Sequence, residues 1–192
     1  MAIYTKKAQP TKNDLYETPT TTLDMILDHL DPKRHLIWEP FVGTGHSTRY
    51  IKSRGFSVTN GDHQDFFQQS LPEKDPEKDL VLISNPPFSV KRQILLRLTD
   101  LGFHKIALLL PAPVLFTKYF QEYCSHHQVQ VIIHTKRCNF LDPETGKPTL
   151  KQPTFDVMWV CVDLALERDI LFSAESSQKD ETAKASQNVK TC

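Results

Sequence analysis

Asp79-Leu80-Val81-Leu82-Ile83-Ser84-Asn85-Pro86-Pro87-Phe88 is the stretch whose reading decides the fold. The apolar run from Asp79 to Ile83 has strand character, and the residues after it cannot continue as a helix. Pro86 and Pro87 lack amide donors, and each holds its predecessor extended. The strand must stop here with Asn85 at its carboxyl end, and in open α/β sheets that end is where ligands sit. Asn85 offers a carbonyl acceptor, the stiffened carbonyls beside it point in fixed directions, and Phe88 adds a flat apolar face. Together they suit a planar group carrying an exocyclic amine.

Upstream, Thr20 to Leu30 sets Leu23, Ile26, Leu27 and Leu30 at helical spacing, and Asp31-Pro32 ends the helix. His35 to Glu39 reads as a buried strand, Gly43 and Gly45 as a turn, and His46 to Arg54 as a helix closed by Gly55. Strand, glycine turn and helix open a nucleotide-binding βα unit. Phe56 to Asn60 is a second strand ending at Gly61-Asp62, and Asp65 to Ser70 is a short helix or contact loop. A charged, proline-punctuated connector, 71–78, leads into the deciding strand. Downstream the pattern predicts a helix over 90–101, a strand over 105–110, a helix over 118–126, a strand over 129–134, irregular chain over 137–154 and a strand over 155–164. Such alternation implies an α/β fold with a mostly parallel sheet covered on both faces.

At 192 residues one domain is expected, without a second, and large enough for its own core. The 23 basic and 23 acidic residues balance, which argues against coating nucleic acid through bulk charge. The balance is uneven along the chain: residues 1–84 carry ten Lys/Arg against twelve Asp/Glu, 85–155 nine against four, and 156–192 four against seven. The segment that opens with the proline pair is therefore the basic one. Cys124, Cys138, Cys161 and Cys192 have no paired spacing, so free thiols in a reducing compartment are expected, with no disulfide framework or zinc site. No histidine spacing suits a metal, and His126-His127 is expected at the surface. The amino terminus lacks the apolar core of a signal peptide and no stretch is long enough to span a membrane, so a soluble intracellular protein, cytoplasmic or nuclear, is expected. Residues 1–13 read as a flexible terminus. The segment 173–192, rich in Ser, Lys, Glu, Gln and Thr, reads as a disordered tail beyond a domain spanning 14–172.

Asn85-Pro86-Pro87-Phe88 after an apolar strand resembles the signature of amino methyltransferases that use S-adenosylmethionine. Glu39-Pro40-Phe41-Val42-Gly43-Thr44-Gly45 resembles that family's cofactor loop, and Asp14-Leu15-Tyr16-Glu17-Thr18-Pro19 its amino-terminal segment. In this order, over 14–163, the three resemble short N6-adenine methyltransferases of phage-like type. The resemblance implies a Rossmann-like, class I methyltransferase fold, with a seven-stranded, mostly parallel sheet and an antiparallel last strand. It implies methyl transfer to the N6 amine of adenine in nucleic acid, with DNA somewhat favoured over RNA. A protein glutamine N5-methyltransferase and a non-catalytic cofactor-binding subunit are the alternatives. With little room for an inserted recognition domain, recognition is expected to be weak, or to come from a partner subunit or a second copy in a homodimer.

The resemblance also implies roles for single residues. Asn85, Pro86, Pro87 and Phe88 form the catalytic tip, with Phe88 stacking on the target base. Tyr16, Thr18 and Pro19 close over the cofactor's carboxylate; Phe41, Gly43 and Gly45 wrap its methionine part. Asp62 takes the ribose hydroxyls, and Asp65 with Phe66 the adenine amine and ring. That second pair comes after Asp62 sooner than in the family, so either an intervening helix is lost or one of the two assignments is wrong. Glu39, an acid ending a buried strand, calls for a cationic or amine partner, and the cofactor's amino group fits. Lys91, Arg92 and Arg137, with Lys136, Lys147 and Lys151, are placed to hold phosphates flanking a flipped base; a solvated basic face is the ordinary alternative.

Overall fold

The computed structural model describes residues 16–62, 65–150 and 152–173. The terminus 1–13, the tail beyond Ser173, and Lys151 lie outside them. Among the described residues, four helices and seven strands succeed one another in chain order: α1 (Thr20–Leu27), β1 (His35–Trp38), α2 (His46–Ser53), β2 (Ser57–Thr59), β3 (Asp79–Ser84), α3 (Lys91–Asp100), β4 (Ile106–Pro111), α4 (Lys118–Cys124), β5 (Val129–Ile133), β6 (Val157–Val162) and β7 (Ile170–Phe172). Single 3₁₀ turns at Phe66–Gln68, Phe88–Val90 and Ala112–Phe116 join them.

All seven strands make one sheet in the order β2-β1-β3-β4-β6-β5-β7. Every pairing is parallel except those of β6, which runs against both β4 and β5. This is the expected Rossmann-like class, with its reversed strand carrying Trp159. A short strand comes after it: β7 adds to the outer edge of β5, Val131 facing Ile170.

Side chains alternate across the sheet, so its inner strands feed two cores. On one face Ile37, Val81, Ile83, Ala107, Leu109, Trp159 and Cys161 meet Leu23, Ile26 and Leu27 of α1 and Ile51 of α2. On the other, Leu82, Ile106, Leu108, Leu110 and Val160 meet Ile94, Leu95 and Leu98 of α3 and Phe120 of α4. Both tryptophans are buried with their indole nitrogens satisfied, as a polar group in a dry core requires. Trp159 Nε1 donates to the Thr22 carbonyl at 2.8 Å, and Trp38 Nε1 to Gln69 Oε1 at 3.2 Å. His127 departs from the expected surface position: its ring stacks on His104 (4.1 Å between centroids), and its Nδ1 lies 3.1 Å from Asp163.

Gln69 explains one glycine. Its amide bridges Trp38 to the Asn60 carbonyl, which its Nε2 reaches at 3.4 Å, directly under Gly61. Gly61 has φ +85°, and an alanine Cβ there would lie 2.2 Å from Gln69 Oε1. Gly61→Ala is therefore expected to cost roughly 2 kcal/mol or more, from left-handed strain and the displaced amide. Urea unfolding checks this; an unchanged midpoint would contradict it.

The order of the strands decides where the site lies. From β1 the chain crosses outward to β2, while from β3 it crosses the other way to β4, so the sheet reverses its winding between β1 and β3. At such a switch point the loops leaving the two strands part and open a crevice. The glycine turn leaves β1 and Asn85 leaves β3, so both meet there.

Candidate active site

Four pieces of chain line one small cavity at this crevice. Tyr16, Glu17 and Thr18 form a strap ahead of α1. Glu39, Phe41, Val42 and Gly43 leave β1, His46 and Ser47 begin α2, and Asn85 ends β3. Gly45 holds φ +82° as the residue before α2, a conformation that suits glycine, and Gly45 N–H bonds the Val42 carbonyl at 2.8 Å to close the turn.

Asn85 is oriented by the strap. Its Nδ2 donates to the Tyr16 carbonyl at 3.3 Å, which leaves Oδ1 buried without a protein partner. Swapping the amide atoms would set oxygen against oxygen, so the acceptor must be the free atom. Thr18 Oγ1 and His46 Nε2 are likewise buried and unpartnered. Buried polar atoms are nearly always paired, and three orphans around one cavity mark a place shaped for a polar ligand.

Glu39 is 1% exposed. Burial pushes its carboxyl up to about 8, against the downward pull of hydrogen bonds from the Ser84 hydroxyl and at Phe41. Near neutral pH it is mostly a neutral acid, waiting on a positive partner to ionise. Asn60 ties the neighbouring tips together, its Nδ2 donating to the Glu39 carbonyl at 3.0 Å and to Thr48 Oγ1 at 3.1 Å.

The strap is fastened at Tyr16 and Glu17. Glu17 and Leu141 exchange backbone hydrogen bonds at 3.0 and 2.9 Å, and the Thr44 hydroxyl donates to the Glu17 carboxylate, with His46 Nδ1 3.9 Å from it. Tyr16 packs on Phe140 at 5.4 Å. The cavity is about 30 Å³, room for a water or two.

The remaining expected residues lie nearby with differing fates. Pro19 precedes α1 outside the cavity lining. Asp62 and Asp65 are exposed beyond β2. Asp62 Oδ1 accepts the Ser70 N–H at 3.0 Å, and the Asp65 carboxylate accepts from Phe67 N–H and Gln68 Nε2, both at 3.1 Å. Among the described residues only a 3₁₀ turn separates β2 from β3. Phe66, expected against a ligand ring, is a core side chain at 2% exposure. Trp38 and Phe41 pack on it at 5.9 and 4.9 Å, and Phe41 is the partly exposed ring of the three. Phe88, expected to stack on a base, is 9% exposed, with Phe140 and Phe155 edge-on to it. Pro86 is buried and Pro87 half-buried. Lys91 Nζ donates to the Phe88 carbonyl at 3.0 Å and pins the turn. Arg92 is exposed, its guanidinium 5.8 Å from the Tyr119 ring, while Arg137 bonds the Pro153 carbonyl and lies 3.7 Å from Asp156. Lys136 and Lys147 are exposed.

Sequence pattern does not single out Glu17, His46, Ser84, Asn60 or Leu141. Glu17, His46 and Ser84 carry a signal, since Glu17 lies inside a motif and the other two each adjoin a motif residue; Asn60 and Leu141 depend on chain brought in from far along the sequence. Among the described residues no group of His, Cys, Asp and Glu is arranged to hold a metal, and no helix is long and apolar enough to cross a membrane.

Neither a family model nor a curated protein matches the sequence. Among solved structures, the chain is similar to a dimethyladenosine transferase from Plasmodium falciparum, at 14% identity and a TM-score of 0.44. The likeness covers 77% of this chain and 62% of that one, so this chain spans less than two thirds of that protein's length.

Proposed function

We propose that the protein transfers a methyl group from S-adenosylmethionine to the N6 amine of adenine in nucleic acid. The observation that carries this reading is the buried, unpartnered Oδ1 of Asn85, on the same cavity as the Gly43 turn and Glu39. The donor set fits the cofactor: Glu39 for its ammonium, Thr18 and His46 beside its carboxylate, the Gly43–Gly45 turn along its methionine part, and Asp62 and Asp65 toward its nucleoside. The cavity opens to solvent on one side, so a molecule that needs some hundreds of Å³ extends beyond it along the rim.

When bound, the cofactor supplies a methyl group activated on a sulfonium. The adenine amine is a poor nucleophile because its lone pair is delocalised into the ring. Asn85 Oδ1 and the Pro86 carbonyl, each accepting one N6 hydrogen, draw the nitrogen toward tetrahedral geometry and turn its lone pair to the methyl. Positioning and fixed dipoles do the work, and the proton lost from N6 passes to water without a strong base. A target inside a duplex has to be unstacked to reach this tip.

Incubating the chain with labelled S-adenosylmethionine and DNA, RNA or protein separately tests the reading. Label recovered as N6-methyladenine from DNA or RNA is expected; label in protein alone would contradict it.

A further inference from the structure

We infer that Phe116 is a stacking contact for a base next to the target adenine, on a nucleic-acid-binding surface that it shares with Arg92 and Lys118. The inference rests on the adenine-methylating reading above and adds how the polymer is held. Phe116 is 83% exposed, ending the 3₁₀ turn Ala112–Phe116. That turn leaves the carboxyl end of β4, the neighbour of β3, and so stands on the same rim as Asn85.

A single exposed apolar side chain is ordinary on a protein surface. This one is held out on a fixed turn. Thr117 N–H and its hydroxyl both bond the Val114 carbonyl, at 3.0 and 2.7 Å, and Gln121 Nε2 reaches the Leu115 carbonyl at 3.3 Å. Tyr119, one helical turn on, lies beneath the exposed Arg92 guanidinium. Lys118 is almost fully exposed, 3.8 Å from Glu122. An exposed aromatic ring two residues before an exposed ammonium and three before a tyrosine that carries a guanidinium matches a strand of alternating bases and phosphates. The positive charges favour that polyanion over an apolar protein partner.

Oligonucleotide affinity, measured by fluorescence anisotropy over a salt series, tests the inference on the full chain. Phe116→Ala is expected to weaken binding between about fivefold and a hundredfold, the range for loss of one stacked base, without changing the slope of log K against log salt. Phe116→Trp should restore affinity, Arg92→Ala should lower the slope by about one, and cofactor affinity should stay unchanged in all three. Equal affinity of Phe116→Ala and wild type, with wild-type methylation of the same oligonucleotide intact, overturns the inference alone. So does a Phe116→Ala chain that only loses self-association by size exclusion, which would make the patch a protein interface. A wild-type chain that neither binds nor methylates any nucleic acid overturns the reading beneath it as well.

Discussion

Replacing Asn85 by alanine is expected to lower kcat by about 10²–10³-fold or more while leaving cofactor affinity within about twofold. The asymmetry arises from what each atom touches. Nδ2 holds the strap through the Tyr16 carbonyl at 3.3 Å, a neutral hydrogen bond whose net worth is about 1 kcal/mol. Oδ1 has no partner within the protein, so its loss disturbs no fold contact and removes only what it offers a ligand. Asn85→Asp keeps the acceptor and is expected to retain transfer well above the alanine variant. Single-turnover rates and equilibrium cofactor binding, measured on all three proteins, separate the two effects. Parallel loss of binding and rate in Asn85→Ala would show that the residue serves the cofactor or the fold rather than the acceptor amine.

Glu39 should make stability fall as pH rises. Its carboxyl titrates near 4.5 when solvated and near 8 in the folded chain, so between those values the folded state holds a proton that the unfolded state has released. Folding is thus least penalised below pH 4.5, loses stability steadily above it, and levels off past pH 8. At about 1.4 kcal/mol per pH unit, the loss amounts to about 3 kcal/mol by pH 7, a large share of a domain's usual margin. Glu39→Gln cannot ionise and should show a flatter profile in urea unfolding between pH 5 and 8; parallel profiles would contradict the account. The same proton reports on binding. If the cofactor's ammonium pairs with Glu39, the carboxyl must ionise, and binding at pH 7 should release close to one proton. Calorimetry in buffers of different ionisation enthalpy reads this directly. Glu39→Gln should release none and lose affinity by about tenfold or more, the worth of a hydrogen bond to a charged group.

The features legible in the sequence are those that local chemistry decides. Pro86 and Pro87 end β3 wherever the strand is placed, and the glycines after β1 turn the chain without help from distant residues. The alternation of strands with amphipathic helices then leaves few ways to wind the sheet. Features that depend on distant partners are not readable. The strand β7 is three residues long and exists because the edge of β5 supplies its hydrogen bonds. The strap is legible as a segment, but not that Leu141 holds it, since nothing near Glu17 announces a partner from the far end of the chain. Phe66 and Phe88 show the same limit from the other side. An aromatic beside a functional motif can face a ligand or the core, and the choice is made by Trp38 and Phe41 in one case and by Phe140 and Phe155 in the other. Glu39 is legible in part. An acid closing a buried strand implies an unmet need for positive charge, yet only the fold shows that Ser84 meets it halfway.

The central claim is geometric, and a crystal structure with a non-reactive S-adenosylmethionine analogue and adenosine bound together tests it most directly. The analogue is expected between the Gly43 turn and Glu39. The atom replacing the methyl donor should lie in line with adenine N6, with Asn85 Oδ1 within hydrogen-bonding distance of that amine. An analogue lodged instead in the cleft of about 840 Å³ at the opposite end of the sheet, among Arg34, Lys78 and His104, would contradict it. So would an adenine held with its amine turned away from Asn85.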